Sequence, residues 1–213
     1  MDIKEKIKTV NFPETQYIKE EVNKTQIYLH HTVSGGSAQG DVDYWLSDDK
    51  RIATAIVIDR DGTPLQCFST KYWGYHLGIP GSTFKKYKIP YQLLDKISIG
   101  VEIDSWGGLT KGKDNKWYSC TNKLVENVEE YPKGFRGYYA FEKYTNEQIQ
   151  SLKELLLLWK DKYNIPLNYN DNIWDVNTNA LKGIAGVYAH VSVRSDKSDC
   201  HPQKELIDML KSL

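Results

Sequence analysis

The order of apolar and polar positions along the chain predicts strands interleaved with helices. Residues 25–33 (TQIYLHHTV) form a short β-prone run that ends in polar residues and the loop SGGSAQG. Residues 96–104 (KISIGVEID) are rich in β-branched side chains and predict a buried strand. Between them, residues 52–68 (IATAIVIDRDGTPLQCF) hold two β-prone runs around Asp-Arg-Asp-Gly-Thr, which predicts a hairpin.

Helical periodicity is clearest in residues 145–166 (TNEQIQSLKELLLLWKDKYNIP). Thr145 and Gln148 form a capping box, and apolar residues recur at helical spacing: Ile149, Leu152, Leu155, Leu156, Trp159 and Tyr163. A short helix capped by Asp41 is expected in DVDYWLSDD, and a closing helix in PQKELIDMLKSL. Residues 184–191 are a further strand candidate.

The segment 105–144 interrupts this pattern, since it is rich in glycine, lysine and tyrosine and shows no periodicity. We expect it to be a long excursion with limited secondary structure of its own, and excursions of that length are often functional. No internal repeat or interdomain linker is apparent. We therefore predict a single α/β domain over residues 1–213, with a central mixed β-sheet flanked by helices.

Composition narrows the possible partners. Lysine and arginine together number 28, as do aspartate and glutamate, so no basic surface for nucleic acid or anionic lipid is expected. The longest apolar run, LLLLW, is far too short to cross a membrane. The first ten residues (MDIKEKIKTV) lack the apolar segment of a secretory signal, so we expect synthesis in the cytoplasm.

The chain contains fifteen tyrosines and six tryptophans. Such residues pack in protein cores, and they also line sites that bind sugars and peptides.

Candidate metal ligands concentrate in residues 188–202 (YAHVSVRSDKSDCHP), although the chain has only three cysteines and five histidines. A catalytic zinc ion takes three protein ligands and leaves a fourth position for water. His190 and Cys200 can supply two of these ligands if the chain turns back between them. His30 or His31, at the end of the first long strand, is the candidate for the third.

Five motifs occur in one order: IYLHHTVSGG, ATAIVIDRDGTPLQ, YWGYHLG, SIGVEID and YAHVSVRSDKSDCHP. In this order the chain resembles the type 2 N-acetylmuramoyl-L-alanine amidases, which include phage lysozyme-type amidases and share the fold of the peptidoglycan recognition proteins. The resemblance covers roughly residues 25–104 and 145–202. It implies a peptidoglycan recognition protein-like fold and a Zn²⁺ cofactor.

The resemblance implies a ligand set. His30 corresponds to the first zinc ligand of the family and His190 to the second, while His31 occupies the adjacent position and is assigned to substrate binding. The third ligand is a cysteine or an aspartate, and here Asp199 and Cys200 are neighbours. Lys197 precedes Asp199 by two residues, as in the family's Lys-x-Asp form. We prefer Cys200, because soft thiolate donors suit zinc.

Further roles follow from the same resemblance. Glu102 matches the general base of some members, and Lys197 is assigned to transition-state stabilisation. His76 and Trp73 match the family's Trp-His-x-Gly element beside the substrate, although Gly74 and Tyr75 separate them here.

The chain also departs from the family in having Thr54 and Ala55 where many members place an aromatic residue or a histidine. With Cys200 as ligand, the lysine position would be occupied by Ser198.

These assignments imply zinc-dependent hydrolysis of the amide between N-acetylmuramic acid and L-alanine in peptidoglycan by a monomeric protein. A phage or prophage endolysin, acting on the cell wall after synthesis in the cytoplasm, is the setting we favour. Three alternatives stay open: a non-catalytic peptidoglycan-binding module, a cytosolic muropeptide-recycling amidase, and a zinc amidase for another acyl-amino substrate.

Overall fold

Four parallel strands form the centre of the protein, whose computed structural model describes residues 2–213. They belong to a six-stranded sheet with the order β1-β4-β3-β5-β2-β11, in which β3, β5, β2 and β11 are parallel and β4 runs antiparallel to β3. The sheet strands are β1 Lys8–Thr9, β2 Gln26–His31, β3 Ile56–Ile58, β4 Pro64–Gln66, β5 Ser98–Ile103 and β11 Gly186–Ala189. This is the predicted mixed sheet, and the predicted hairpin corresponds to β3 and β4.

Helices flank this sheet. They are α1 Ile3–Lys6, α2 Ala38–Leu46, α3 Gly81–Tyr87, α4 Leu93–Ile97, α5 Asn146–Tyr163, α6 Thr178–Leu181 and α7 Lys204–Lys211. The longest, α5, begins with the predicted capping box, in which Thr145 and Gln148 satisfy each other's backbone N–H groups. Its apolar stripe is buried against the sheet, and α7 packs on α5. Within the described residues, no helix is long and apolar enough to cross a bilayer.

Two boundaries differ from the sequence prediction. Helix α2 begins at Ala38 rather than after Asp41, because the Ser37 side chain accepts a hydrogen bond from the Gly40 N–H and caps the helix. Strand β11 ends at Ala189, and a single 3₁₀ turn (His190–Ser192) follows it. His190 is therefore the first residue beyond the strand rather than part of it.

The excursion 105–144 has more regular structure than the sequence predicted. It contains a three-stranded sheet of β6 Thr110–Lys111, β7 Trp117–Tyr118 and β8 Leu124–Val125, and a hairpin of β9 Val128–Phe135 and β10 Tyr138–Glu142. A small core of Leu109, Val125 and Ala140 holds the two parts together. Strands of two residues are too short to show periodicity, which explains why sequence patterns missed them.

Candidate metal centre

The central strands place three candidate residues in one row. In the parallel register, His30 of β2 lies opposite Glu102 of β5. Leu29 lies opposite Ala189 of β11, so His190 continues the row on the other side of His30. Paired positions on neighbouring strands share a face of the sheet, and the carboxyl ends of parallel strands meet at one edge. The row therefore runs from Glu102 through His30 to His190 along that edge.

Asp199 completes a buried cluster with the two histidines. His30 Nδ1 lies 3.1 Å from His190 Nδ1 and 3.1 Å from Asp199 Oδ2, and His190 Nδ1 lies 2.8 Å from the same oxygen. The Val191 N–H donates to the Asp199 carbonyl, so the chain turns back between the two ligand positions. The exposed fractions are 2%, 5% and 9% for His30, His190 and Asp199, so the cluster is shielded from bulk solvent.

Hydrogen bonds on the far side of each imidazole decide which nitrogen faces the cluster. His190 Nε2 lies 2.9 Å from the Leu77 carbonyl, which can only accept, so Nε2 carries the hydrogen and Nδ1 presents a lone pair. His30 Nε2 lies 3.0 Å from His76 Nδ1, and His76 Nε2 lies 2.8 Å from Ser98 Oγ. The Ser98 hydroxyl donates to the Leu94 carbonyl at 2.6 Å. Ser98 therefore accepts from His76, His76 accepts from His30, and His30 Nδ1 is left as a lone pair.

This donor set fits a zinc ion. Two imidazole lone pairs and a carboxylate oxygen converge, and all three donor atoms lie within 4.8 Å of one another. Burial lowers the pKa of His30 to about 4, reinforced by the neighbouring His190, so His30 is neutral at pH 7. Burial opposes ionisation of Asp199, but His190 and His30 outweigh it and hold the carboxyl pKa well below its usual value. A neutral imidazole at His30 beside an ionised Asp199 is the combination of protonation states that a divalent cation requires.

Cys200, the ligand preferred from sequence, lies outside this cluster. Its Sγ is directed at the His30 backbone carbonyl, 3.3 Å away, and the side chain is completely buried. Burial raises the thiol pKa well above its usual value, which disfavours the thiolate. Asp199 is the third member of the group instead. The preference for Cys200 rested on the softness of a thiolate donor. Which of the two adjacent side chains points into the cluster depends on the fold.

Glu102 borders the cluster with an unused carboxylate oxygen. Its Oε2 is buried and has no hydrogen-bond partner within residues 2–213. Burial raises the pKa of Glu102 well above its usual value, the charges of Asp199 and Asp41 add to the rise, and Lys197 opposes it. A buried carboxyl without a partner is costly unless another molecule uses it. The position thus suits a group that exchanges a proton with a ligand.

Two further charged residues act on this edge of the sheet. Lys197 is half-buried, and its charge acts on both His30 and Glu102, which places the ammonium within electrostatic reach of the cluster. With Asp199 in the cluster, the spacing is that of the Lys-x-Asp form. Asp41, expected only as a helix cap, has a buried Oδ2 without a partner in the described chain and contributes to the raised pKa of Glu102.

Three residues assigned to substrate binding take other positions. His76 lies beneath the cluster, where it hydrogen-bonds His30 and Ser98. His31 lies on the opposite face of the sheet, 4% exposed, with Nδ1 2.8 Å from Tyr144 Oη. Trp73 is 4% exposed and donates from Nε1 to Glu20. Strand alternation alone separates His31 from His30. The contribution of Ser98 gave no sequence signal, because a lone serine at the start of a strand is commonplace.

Comparison with known proteins identifies the family and the fold. A family model described as N-acetylmuramoyl-L-alanine amidase matches residues 21–202. The catalytic domain of XlyA has a TM-score of 0.56 at 15% identity, with 97% of each chain covered. A mutant endolysin from Bacillus subtilis has a TM-score of 0.55 at 15% identity, covering 97% of this chain and 96% of that chain.

A selenomethionine derivative of AmpD is also similar, with a TM-score of 0.54 at 15% identity, covering 96% of this chain and 94% of that chain. At such low identities these likenesses show the fold. No curated protein sequence matches the chain.

Proposed function

The chain belongs to the N-acetylmuramoyl-L-alanine amidase family, and we propose that it hydrolyses the amide between N-acetylmuramic acid and L-alanine in peptidoglycan with the help of zinc. The supporting observation is the convergence of His30, His190 and Asp199 beside a carboxylate oxygen of Glu102 that has no hydrogen-bond partner among residues 2–213. A binding module would not need a proton-exchanging carboxyl beside a metal-type donor set.

The three donors would hold Zn²⁺ through His30 Nδ1, His190 Nδ1 and an oxygen of Asp199. Bound there, the ion would polarise the substrate carbonyl and lower the pKa of water from about 16 toward roughly 7. The outer hydrogen bonds to His76 and the Leu77 carbonyl keep both rings oriented.

Glu102 is proposed as the general base and acid. Its Oε2 takes a proton from the attacking water and delivers it to the amide nitrogen of L-alanine as the C–N bond breaks. The raised pKa suits this exchange, because a carboxyl with an ordinary pKa holds a proton too weakly to return it at neutral pH. The Lys197 ammonium would stabilise the negative charge that develops on the carbonyl oxygen.

The proposal is tested by measuring zinc content and the release of free L-alanine amino groups from cell wall. Purified protein should contain about one zinc ion, and Glu102→Gln should keep the zinc but lose at least ~100-fold in rate. Asp199→Ala should lose zinc, whereas Cys200→Ser should keep it. Glu126→Gln, an exposed glutamate on the excursion, is the matched control. Absence of zinc, or full activity of Glu102→Gln, would contradict the proposal.

For the biological setting we propose an endolysin that attacks the intact wall. The structural similarity to a Bacillus subtilis endolysin supports this choice, while AmpD has the same fold. Intact sacculi and soluble muropeptides, digested in parallel, separate the possibilities. An endolysin should release L-alanine termini from sacculi at a rate comparable with that from muropeptides. Activity on soluble muropeptides alone would favour a recycling enzyme.

A further inference from the structure

A concave surface lies between the two small sheets of the excursion. Its volume is about 470 Å³, within the roughly 300–1,000 Å³ typical of ligand sites. The residues that matter for its chemistry are Lys111, Trp117, Glu130, Tyr131, Tyr138 and Tyr139. We refer to it as the aromatic cleft. It contains none of the residues of the metal centre.

Two rings of the aromatic cleft, those of Trp117 and Tyr138, are held by contacts within the protein. Trp117 donates from Nε1 to Glu130 Oε1 at 3.0 Å, and Lys111 Nζ lies 5.3 Å from the centre of the Trp117 ring. Tyr138 lies directly on the backbone of Gly108, where any Cβ would come within 2.4 Å of the ring. Gly108 is thus required for this arrangement, and the ordering cost of binding is reduced in advance.

The packing of the small core does not explain why these aromatic rings are exposed. The small core beneath them consists of Leu109, Val125 and Ala140, all of which are buried. Tyr138 and Tyr139 are instead 38% and 63% exposed, respectively. Aromatic side chains that face solvent around a cavity are characteristic of recognition surfaces.

The aromatic cleft is joined to the metal-holding segment by direct contacts. Tyr131, which lines the cleft, has its hydroxyl 2.8 Å from His201 Nδ1, two residues after Asp199. At the tip of the same hairpin, Arg136 donates to the carbonyls of Ser195 and Trp174 at 3.3 and 3.2 Å. These contacts hold the hairpin that lines the cleft against the segment that carries Asp199.

We propose that the aromatic cleft binds the glycan strand of the substrate, a chain of β-linked amino sugars, beyond the sugar that carries the scissile amide. Aromatic rings pack against the C–H faces of pyranose rings, and the tyrosine hydroxyls, Glu130 and Lys111 offer hydrogen bonds to hydroxyl and acetamide groups. One acid and one base leave the cleft without net charge, which suits an uncharged sugar chain better than the charged stem peptide. The assignment rests on the proposed function, because it treats the glycan as part of the same substrate.

Binding of a soluble β-1,4-linked N-acetylglucosamine tetramer tests the proposal without requiring hydrolysis. The wild-type protein should bind the tetramer in a calorimetric titration, and Trp117→Ala and Tyr139→Ala should each weaken binding about tenfold or more, as expected for an aromatic anchor. Tyr139 is exposed, so its loss should leave the fold intact. Tyr91→Ala, which removes a 70% exposed tyrosine elsewhere, should change nothing.

Hydrolysis supplies the second readout. Tyr139→Ala should raise KM for substrates with long glycan strands and leave KM unchanged for a single muramyl sugar carrying the stem peptide. Active protein that binds no tetramer would overturn the cleft assignment and leave the proposed function standing. Tetramer binding by protein without amidase activity would support the cleft and remove the proposed function. Binding of the free stem peptide in place of the tetramer would also overturn the assignment.

Discussion

At the scale of single residues, the decisive feature is a hydrogen-bond chain that reaches His30 from a backbone carbonyl. Leu94 O accepts from Ser98, Ser98 accepts from His76, and His76 accepts from His30. In each of these hydrogen bonds only one of the two groups can be the donor. The series therefore selects the His30 tautomer whose Nδ1 lone pair faces the cluster. Ser98 and His76 thus prepare a metal ligand without contacting the metal position.

Ser98→Ala tests this chain. Without the hydroxyl, His76 Nε2 loses its acceptor, and His76 no longer favours the tautomer that accepts from His30. Zinc affinity should fall about tenfold or more, as is usual when a partner of a ligating histidine is removed. Competition with a chromophoric chelator measures the change. Ser151→Ala is the matched control, since Ser151 is also buried and also donates to a backbone carbonyl, that of Gly62, away from the cluster. Equal zinc affinity in both variants would refute the role of Ser98.

At the scale of secondary-structure elements, the parallel strands bring distant residues together. The β2–β5 register alone aligns His30 with Glu102, and the end of β11 delivers His190. Sequence patterns predicted these strands, the hairpin and α5, because each is long or carries strong local signals such as the capping box. They could not resolve which of two adjacent residues, Asp199 or Cys200, faces the cluster.

The excursion marks the limit of prediction at this scale. Its two-residue strands are held by contacts with each other and with β10 rather than by local preference, so sequence patterns predicted only an irregular segment. Adjacent histidines present the same difficulty on β2. Alternation predicts that His30 and His31 face opposite sides, but only the complete sheet shows which side carries the metal centre.

The start of α5 provides a test at the element scale. The Thr145 hydroxyl accepts from the Gln148 N–H at 3.1 Å and donates to the Arg60 carbonyl at 2.8 Å. Thr145→Ala should therefore lower the free energy of unfolding by about 1–2 kcal/mol, as measured by urea denaturation. Thr145→Ser keeps the hydroxyl and should lose much less. Similar losses for the two variants would show that the methyl group, not the cap, matters.

At the scale of the whole molecule, ion pairs of one arginine connect the central sheet to the excursion. Arg60, in the turn between β3 and β4, pairs with Asp104 after β5 and with Glu142 of the excursion, and its distance to the Glu142 carboxylate is 2.9 Å. Glu142 also accepts from the Trp106 N–H, so one arginine connects the central sheet to the excursion.

Lys24, before β2, is fully buried with its ammonium 2.5 Å from the Lys96 carbonyl. Burial lowers the pKa of Lys24 from 10.5 to about 7.

Lys24 should make stability depend on pH. Below pH 7 Lys24 is charged in both states, and the folded protein bears the full cost of burying that charge. Between pH 7 and 10.5 only the unfolded chain keeps the proton, so this cost falls as pH rises. Lys24→Met should therefore stabilise the protein more at pH 6 than at pH 10, by up to roughly 4 kcal/mol.

Thermal unfolding of Lys24→Met at the two pH values measures the effect. Lys133→Met, which replaces an exposed lysine, should shift the unfolding temperature equally at both. A stabilisation by Lys24→Met that does not change with pH would mean that Lys24 keeps an ordinary pKa in the folded protein.

The central claim is that His30, His190 and Asp199 hold a zinc ion while Cys200 does not. Zinc-edge X-ray absorption spectroscopy of the purified protein tests it most directly, because sulfur and oxygen or nitrogen ligands scatter at different distances. The predicted spectrum contains only nitrogen and oxygen at about 2.0–2.2 Å. A sulfur shell at about 2.3 Å would contradict the account and return Cys200 to the metal.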